Sequence, residues 1–458
     1  MKSPTKLLVA ALSGCMVWMG AASAQKGGAK PAPAATAKVA PPAPAAKPAA
    51  PTAPPAFSQA VDYFVQQEKA GAWSKDTCKT SARKFQDAAS KHKLVDGYFN
   101  AGASFAKCGM WEDAKEMYDK ALSMNPEHGP SLGGLGEIAL RQGREADAQR
   151  YFLRAVDLKN NTSGQVTGAR NNLAAIAYRK MRQTSDPGQR KKLEEESFGY
   201  LQRTLALDGD NVFAYTLMAL IYMEGSDRNK SRLNLAQILV DQGKKRNDRY
   251  APLWNASGLL KMKRGAVSSA QKDFRQAIQL DPRFVEPRMN LGQIVLSARN
   301  YAEAETQFRE VLKIQAKSYD ATIGLGVALR GNATVLRAQG AVPESAKKID
   351  EAEQTYQAAM AINNKRGDAY YNLGLLYKDY RTNDTDLKKQ IEAYRKAKNF
   401  FTDYLARAEG SDPKRKEAEG HVSDCDKTIA ALNQAIQIQG SSPPPAPQAG
   451  GGTSSGTP

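Results

Sequence analysis

The sequence predicts an all-α solenoid in which about nine helix–turn–helix repeats stack between two terminal segments that have no fold of their own. Three observations lead to this prediction. A set of small and large residues recurs every 34 residues, the middle of the chain is rich in Ala, Lys, Glu, Gln and Arg, and both ends consist mainly of small residues and proline. A period of this length indicates a repeat protein, because one short repeat cannot bury its apolar face without neighbours.

The N-terminus has the layout of a secretory signal peptide. Two lysines precede an apolar run from Leu7 to Met19, and the small residues Ala22–Ala24 stand before Gln25. The run is shorter than the ~20 residues that a membrane span needs. Residues 1–24 are therefore predicted to direct export, most simply to the periplasm.

An alternative reading of the same segment is a lipoprotein signal. Leu12–Cys15 resembles a bacterial lipobox, in which Cys15 would become a lipidated first residue and provide an outer-membrane anchor. The residues after Cys15 stay apolar as far as Ala24, whereas a lipoprotein usually turns polar at once. Signal-peptide cleavage is therefore favoured, and lipidation of Cys15 stays open.

Two segments flank the predicted fold. Residues 25–56 contain almost only Ala, Pro, Lys and Gly, and residues 440–458 are rich in Gly, Ser and Pro. Neither composition can bury a core, so both are predicted to be disordered, the first as a partly extended linker. The solenoid then covers residues 57–439, with a capping helix at 413–438.

The repeat is clearest between Tyr98 and Pro126. With Tyr98 at position 4, small residues occupy positions 8, 20 and 27, large residues occupy positions 11 and 24, and proline occupies position 32. The residues are Gly102, Ala114, Ala121, Phe105, Tyr118 and Pro126. The next repeat follows without a gap, and a further match begins at Trp254.

This pattern resembles the tetratricopeptide repeat, a 34-residue pair of helices. Small residues at positions 8 and 20 let the two helices approach closely, and large residues fill the space beside them. The resemblance implies a right-handed superhelical solenoid. Four repeats fit only with about 5 to 14 extra residues between their two helices, which either form loops at one edge or lengthen the helices.

No catalytic or cofactor site is expected. The three histidines are far apart in the chain, and none has a cysteine or carboxylate at metal-ligand spacing. Gly133–Gly136 is not a phosphate loop, since no strand precedes it and no Gly-Lys-Ser/Thr follows. The formal net charge of +18 invites nucleic acid as a partner, but export and the lack of interleaved aromatic residues argue against it.

The resemblance places two cysteines side by side. Cys78 lies near the start of the second helix of the first repeat, and Cys108 lies at the end of the first helix of the next. Neighbouring helices in a tetratricopeptide array are antiparallel, so a Cys78–Cys108 disulfide is predicted, with two free thiols as the alternative. Cys425 is expected to be a buried, unpaired residue of the capping helix.

The resemblance also implies a partner-binding groove, formed by positions 2, 5, 9, 12 and 13 of each repeat. In the middle of the chain these positions are mainly apolar, with a few amides and cations that suit a peptide backbone or carboxylate. The candidates are Asn171, Arg179, Leu220, Met223, Asn255, Leu259, Met262, Lys263, Met289, Leu296, Ile323 and Val327. Tight winding of the solenoid or the capping helix would fill the same groove instead.

The predicted function is a non-enzymatic scaffold for protein–protein interaction in the periplasm or at the outer membrane, with other envelope proteins as partners. The export signal, the linker and the long array together resemble exported tetratricopeptide components of the myxobacterial gliding-motility complex. Pilus-assembly and outer-membrane-biogenesis proteins share this layout more loosely. A basic protein that holds acidic cell-wall polymer or polysaccharide is the alternative.

Overall fold

A computed structural model of the chain describes residues 54–157, 166–227 and 229–441. Within these ranges the chain forms nineteen α-helices and no β-strand, which confirms the predicted all-α array. None of the described helices combines the length and the hydropathy that a membrane span requires. The predicted signal peptide with Cys15, residues 25–53 of the linker and residues 442–458 of the tail lie outside the described residues.

The chain divides within α11 into two compact units, which we call the N-terminal unit (described from residue 54 to 260) and the C-terminal unit (261 to 441). The first ten helices, in the N-terminal unit, are α1 (Pro55–Ala70), α2 (Lys75–His92), α3 (Val95–Lys107), α4 (Trp111–Met124), α5 (Gly129–Arg141), α6 (Glu145–Asp157), α7 (Thr167–Gln183), α8 (Pro187–Leu207), α9 (Val212–Glu224) and α10 (Arg232–Arg246). The remaining helices are α11 (Ala251–Lys263), α12 (Val267–Leu280), α13 (Val285–Ser297), α14 (Tyr301–Ile314), α15 (Tyr319–Ala338), α16 (Val342–Ile362), α17 (Asp368–Tyr380), α18 (Leu387–Leu405) and α19 (Arg415–Ser441).

These bounds give nine consecutive pairs of helices and one terminal helix in the described chain, in agreement with the predicted nine repeats. In several pairs the first helix meets its partner at the predicted small residue. A Cβ atom added to Gly136 would lie 2.5 Å from the Phe152 ring, and one added to Gly374 would lie 2.7 Å from the Phe401 ring. Both rings are fully buried. Glycine at position 8 is therefore required by the aromatic residue at position 24.

The extra residues of two repeats lengthen helices instead of forming loops. The pair α13 and α14 has 13 and 14 residues, whereas α15 and α16 have 20 and 21. In the same way, α7 and α8 have 17 and 21 residues. The longer hairpins extend past their neighbours by one to two helical turns.

A half-buried carboxylate holds the extension of α15 and α16 against α14. The Glu305 carboxylate accepts hydrogen bonds from Asn332 of α15 at 2.7 Å and from Lys348 of α16 at 2.8 Å. Arg309 of α14 adds a third bond at 2.8 Å. Burial raises the pKa of Glu305, but these donors outweigh that effect and hold the pKa below its ordinary value.

The last helix, α19, packs against α18 at the end of the array. It runs from Arg415 to Ser441, so it starts and ends slightly later than the predicted range of 413–438, and it takes in the first two residues of the predicted tail. At the other end, α1 already starts at Pro55, inside the predicted linker. Cys425 is fully buried, as expected, in a cluster with Tyr371 and Phe401.

The geometry of Cys78 and Cys108 suits the predicted disulfide. Cys78 lies in the first turn of α2, Cys108 follows the last residue of α3, and their Cα atoms are 6.3 Å apart with the two sulfurs at bonding distance. Cα separations of this size are usual for disulfides. A bridge here would tie the first helical hairpin to the second.

Candidate functional site

The N-terminal unit contains a cleft of about 570 Å³, which we call the N-terminal cleft. Its walls come mainly from α3, α5 and α7, with the start of α9 and the end of α10 at one side. Small residues and aromatic rings alternate with charged groups along it. The lining includes Phe99, Ala103, Lys107, Trp111, Tyr118, Gly133, Gly134, Glu137, Arg141, Gly168, Asn171, Asp208, Phe213, Arg246 and Tyr250.

Charged groups in the N-terminal cleft are engaged with one another. The Arg141 guanidinium lies 4.5 Å from the centre of the Trp111 ring and 3.0 Å from the Glu137 carboxylate. Burial raises the pKa of Glu137, against the opposing effect of Arg141. Lys107 forms an ion pair with Glu68 at 2.8 Å. A ligand in this cleft therefore meets cations that are already neutralised.

Two adjacent glycines form part of the floor of the N-terminal cleft. A Cβ atom on Gly134 would lie 2.5 Å from the Tyr118 ring, whereas one on Gly133 would meet no atom within 4 Å. Gly134 is thus needed for helix packing, and Gly133 leaves open space. Burial raises the pKa of Tyr118 far above its ordinary value, so its hydroxyl stays protonated.

At the opposite side of the N-terminal cleft, Asn171 lies against the start of α9. Its amide nitrogen donates to the Asn211 side-chain oxygen at 3.1 Å, and that oxygen also accepts the Ala214 N–H as the helix cap. Asn171 is only 5% exposed, and its side-chain oxygen is buried with no hydrogen-bond partner among the described residues. This oxygen is an acceptor that a backbone N–H of a ligand would satisfy.

The C-terminal unit contains a second cleft of about 360 Å³, which we call the C-terminal cleft. It lies along α13, α15 and α17, and its floor is mainly aliphatic. Charged and amide groups surround this floor. The lining consists of Met289, Asn290, Gln293, Leu296, Asp320, Ile323, Gly324, Val327, Arg330, Arg366, Asp368, Tyr371, Asn372, Leu375 and Lys414.

Both clefts are lined by the predicted positions of the repeat. Positions 2, 5, 9 and 12 of the α15 repeat line the C-terminal cleft, as do positions 2, 5 and 9 of the α17 repeat. The same repeat positions in α3 and α5 include Phe99, Gly133 and Glu137, which line the N-terminal cleft. The lining of both clefts therefore follows the repeat register.

Of the twelve residues predicted for the groove, five line a cleft. Met289, Leu296, Ile323 and Val327 lie together in the C-terminal cleft, and Asn171 lies in the N-terminal cleft. The structure thus joins four of the predicted apolar residues into one surface.

The other seven residues line neither of these clefts. Asn255 and the apolar Leu220, Met223 and Leu259 are buried, Met262 is half-buried and Lys263 is exposed. Arg179 pairs with Glu145 at 3.1 Å.

Sequence reasoning missed most of the N-terminal cleft. It selected apolar residues, whereas this cleft offers Gly133, Glu137 and Arg141 at the same repeat positions. Applying the position rule to the first repeats, without regard to residue type, would have found them. The capping helix α19 lies on α18, and Lys414, just before it, is the part of the terminal segment that lines the C-terminal cleft.

A serine, a histidine and an aspartate form a hydrogen-bonded chain at the start of α5. His128 Nδ1 lies 2.8 Å from Ser131 Oγ, and His128 Nε2 lies 3.1 Å from Asp96 Oδ1. Ser131 is fully buried, so its oxygen is not accessible to a substrate. These hydrogen bonds link α3 to α5 and have a structural role. In the described residues no group of three His, Cys, Asp or Glu side chains is arranged to hold a metal ion.

Comparison with known families gives a match to the tetratricopeptide repeat over residues 99–162 and 255–321. The matched segments contain most of α3, all of α4 to α6, most of α11 and all of α12 to α14, so they include residues that line each cleft. Tetratricopeptide repeats are platforms for binding, which agrees with open clefts along the first helices.

Curated relatives share part of the chain. Cellulose synthase operon protein C of Komagataeibacter xylinus is 24% identical over 262 residues, which are 49% of this chain and 19% of that protein. Cellulose synthase 1 operon protein C of the same organism is 26% identical over 259 residues, again 49% of this chain and 19% of the relative. The chain thus spans about a fifth of the length of these relatives.

Solved tetratricopeptide structures are also similar. The structure of Pseudomonas aeruginosa pilF has a TM-score of 0.40 at 15% identity and covers 55% of this chain and 96% of its own. YrrB, described as a tetratricopeptide-repeat protein with an unusual peptide-binding site, has a TM-score of 0.29 at 16% identity and covers 45% of this chain and 96% of its own.

Proposed function

We propose that this chain is a non-enzymatic scaffold that binds segments of other proteins in its two clefts. One observation carries the proposal: the open surface in each unit is lined by the same positions of successive first helices. Such a surface suits an extended or helical peptide, because successive first helices present side chains from the same positions along its length.

The proposed setting is the bacterial envelope. The predicted signal peptide at residues 1–24 supports export to the periplasm, and Cys15 offers a second route through lipidation and outer-membrane association. The partners would then be other envelope proteins. Within this setting, the layout of signal, linker and repeat array favours a role in a gliding-motility complex, with pilus or outer-membrane assembly as a related alternative.

A second candidate is association with cell-wall polymer or exopolysaccharide. The names of the curated relatives refer to a cellulose synthase operon, which favours a polysaccharide context for this chain as well. The formal net charge of +18 would support binding to an acidic polymer. This mode of binding relies on exposed charge, so it would weaken strongly as salt rises and the Debye length shrinks to about 3 Å at 1 M.

The decisive experiment is capture of the tagged full chain from lightly crosslinked native cells, before and after a 1 M salt wash. Three variants accompany the wild type: Gly133→Arg in the N-terminal cleft, Ile323→Lys in the C-terminal cleft, and Val342→Lys at a 60% exposed site outside both clefts. Thermal melting of each variant ensures that only folded proteins are compared.

A scaffold predicts a discrete set of envelope proteins that the wild type and Val342→Lys retain through the wash and that at least one cleft variant loses. Equal capture by all four proteins would contradict binding in the clefts. Recovery of polymer alone, released by salt, would instead favour the second candidate.

The export proposal has its own measurement, which is mass spectrometry of the N-terminal peptide of the protein from fractionated cells. A mature chain that begins at Gln25 would support signal-peptide cleavage. A diacylglyceryl thioether on Cys15 would support the lipoprotein route. An intact peptide from Met1 onward, found in the cytoplasmic fraction, would contradict export.

A further inference from the structure

The charged side chains that line the C-terminal cleft sum to a net charge of +1. Five charged side chains line it, two acidic and three basic. Arg366 forms ion pairs with both acids, since its guanidinium lies 2.7 Å from the Asp320 carboxylate and 2.9 Å from the Asp368 carboxylate. Arg330 and Lys414 remain, and in the part of the chain that the structure describes neither side chain forms an ion pair, although the Asp412 carboxylate accepts the Lys414 backbone N–H at 2.9 Å.

Arg330 is a half-buried cation at the edge of the aliphatic floor. Its guanidinium donates a long hydrogen bond of 3.4 Å to the side-chain oxygen of Asn372, which is a neutral partner. Partial burial costs a guanidinium some of its hydration, and a neutral amide replaces only part of it. A carboxylate in the cleft would therefore gain a charge-assisted, bidentate partner at Arg330.

Lys414 comes from outside the repeats, in the segment between α18 and α19. Its ammonium lies 4.7 Å from the centre of the Tyr371 ring. Tyr371 directly precedes Asn372 in α17. In α19, the Glu417 carboxylate lies 3.8 Å from His421. The terminal segment thus adds a cation to the same stretch of α17 that Arg330 contacts.

An apolar floor beside two cations selects the chemistry of the occupant. Met289, Leu296, Ile323 and Val327 favour aliphatic or aromatic side chains, and the two cations favour an acid. Residues 1–53, 158–165, 228 and 442–458, which the structure does not describe, contain no Asp or Glu side chain that could take this place.

We infer that the C-terminal cleft binds an apolar segment of a partner protein that carries an acidic side chain, whose carboxylate lies between Arg330 and Lys414. This inference rests on the proposed function, because it assumes that the clefts hold partner segments. It adds the class of segment, and it makes the segment before α19 part of the binding site. The cations of the N-terminal cleft are paired with Glu68, Glu137 and Asp210, so the same preference is not expected there.

The test is selection of a random 12-residue phage-displayed peptide library on the immobilised full chain. Displayed peptides are fused at their C-terminus, so any carboxylate they offer is a side chain. We expect peptides with two or more large apolar residues and an Asp or Glu. Resynthesised with an amidated C-terminus, such a peptide should lose at least about tenfold in affinity when its acid is changed to the amide.

Matched variants assign the effect to the cleft. Arg330→Gln with Lys414→Gln should reduce affinity for the acidic peptide by at least about tenfold and leave the amide peptide unaffected. Arg337→Gln with Lys347→Gln removes the same charge from exposed sites that do not line the cleft, and should change little. Circular dichroism and melting establish that both double variants fold.

The outcomes separate this inference from the proposed function. Selected peptides that lack an acid, or whose binding does not depend on Arg330 and Lys414, would overturn the inference while a peptide-binding scaffold stands. Peptides that need only their acid and bind all variants equally would point to general surface charge and also overturn it. If no peptide is enriched on the wild type, both the inference and peptide binding in the clefts fail.

Discussion

The two clefts occupy equivalent positions of the repeat but present different surfaces. The N-terminal cleft is larger, lined by glycine, alanine and aromatic rings, and its cations are paired. The C-terminal cleft is smaller and aliphatic, with Arg330 and Lys414 available to an anion. The backbone of a helical repeat thus decides where a ligand can bind, while a few outward side chains decide which ligand it is.

This difference matters because the positions that build the repeat are the same in both units. Phe152 in one unit and Phe308 in the other are both at position 24 and at most 1% exposed. Positions that face the clefts differ between the units, with Gly133 and Glu137 in the N-terminal cleft and Ile323 and Val327 in the C-terminal cleft. Phe152 and Phe308 line neither cleft, so packing can be mutated at these positions without a change in the cleft lining.

The largest expected effect comes from emptying one buried ring position in each unit. Phe152→Ala and Phe308→Ala should each cost about 3–5 kcal/mol in the free energy of unfolding, because a large cavity replaces a fully buried ring. Repeats depend mainly on their neighbours, so hydrogen exchange should accelerate around α5 and α6 in the first variant and around α13 to α16 in the second.

Mass spectrometry of deuterated peptides checks this prediction. Val335→Ala, at a side chain 42% exposed, serves as the control and should leave exchange unchanged. If either phenylalanine variant accelerated exchange uniformly from α2 to α18, the treatment of the two units as separately responding regions would be wrong.

Removing the predicted bridge should affect only the N-terminal unit. Cys78→Ala with Cys108→Ala should destabilise the chain by about 2–4 kcal/mol, because the bridge would close a long loop in the unfolded chain. Melting of the wild type with and without a reducing agent should reproduce this loss. Mass spectrometry of unreduced tryptic peptides tests the bridge directly, and alkylation of both cysteines without reduction would exclude it.

Cys425→Ala is the matched control for the cysteine variants. This thiol is fully buried in the C-terminal unit, and burial raises its pKa. Its replacement should therefore leave the response to reducing agent unchanged. A reductant-dependent melting temperature that persists in Cys78→Ala with Cys108→Ala but disappears in Cys425→Ala would contradict the assignment of the bridge.

The two units contain acids that should respond to pH in opposite directions. In the C-terminal unit, burial raises the pKa of Glu286 to about 7 from 4.5. The folded chain then binds this proton more tightly than the unfolded chain, so stability falls as pH rises from about 4.5 to 7. Glu286→Gln should stabilise the protein by about 2 kcal/mol at pH 8 and have little effect at pH 4, as measured by urea unfolding.

Asp96 supplies the contrasting case in the N-terminal unit. The hydrogen bond from His128 lowers the pKa of Asp96 below 3.8. Its contribution to stability is therefore present above that value and is lost as pH falls through the lowered pKa. Asp96→Asn should cost less than about 1 kcal/mol at pH 7, since the carboxylate is largely exposed, and nothing at pH 2. Parallel pH profiles for the two variants would contradict the contrast.

The smallest expected effect concerns the neighbouring glycines of the N-terminal cleft. Gly133→Ala should stabilise α5 by up to about 1 kcal/mol, because alanine favours the helix and its Cβ meets open space. Gly134→Ala should instead destabilise the protein, because its Cβ would press on the Tyr118 ring. Thermal unfolding distinguishes them, and equal shifts would show that the cleft floor relaxes.

Much of the fold could be predicted because its requirements are local. Gly136 has to be small since Phe152 needs the space, and such pairs recur at a fixed spacing that a single sequence reveals. The bridge geometry between Cys78 and Cys108 followed from the same register. The resemblance to one motility system has no counterpart among these local requirements, and it stays a proposal.

The site was less predictable because it depends on which surface stays open. Apolar residues such as Leu220 and Leu259 occupy the right repeat positions but are buried. Gly133 and Glu137 look unremarkable in the sequence, yet they line the larger cleft. The contact between Asp96 and His128 joins two repeats, so the residue spacing within one repeat does not predict it.

The lengthened hairpins have a consequence for how such arrays change length. The helices α15 and α16 are each seven residues longer than α13 and α14, and seven residues are close to two turns of 3.6. Every side chain beyond the insertion therefore returns to the angular position it would have had without it. Both helices of a hairpin can therefore lengthen by whole turns while the same faces stay directed at the neighbouring helices. Paired insertions extend one edge of the array in this way without changing the existing helix contacts.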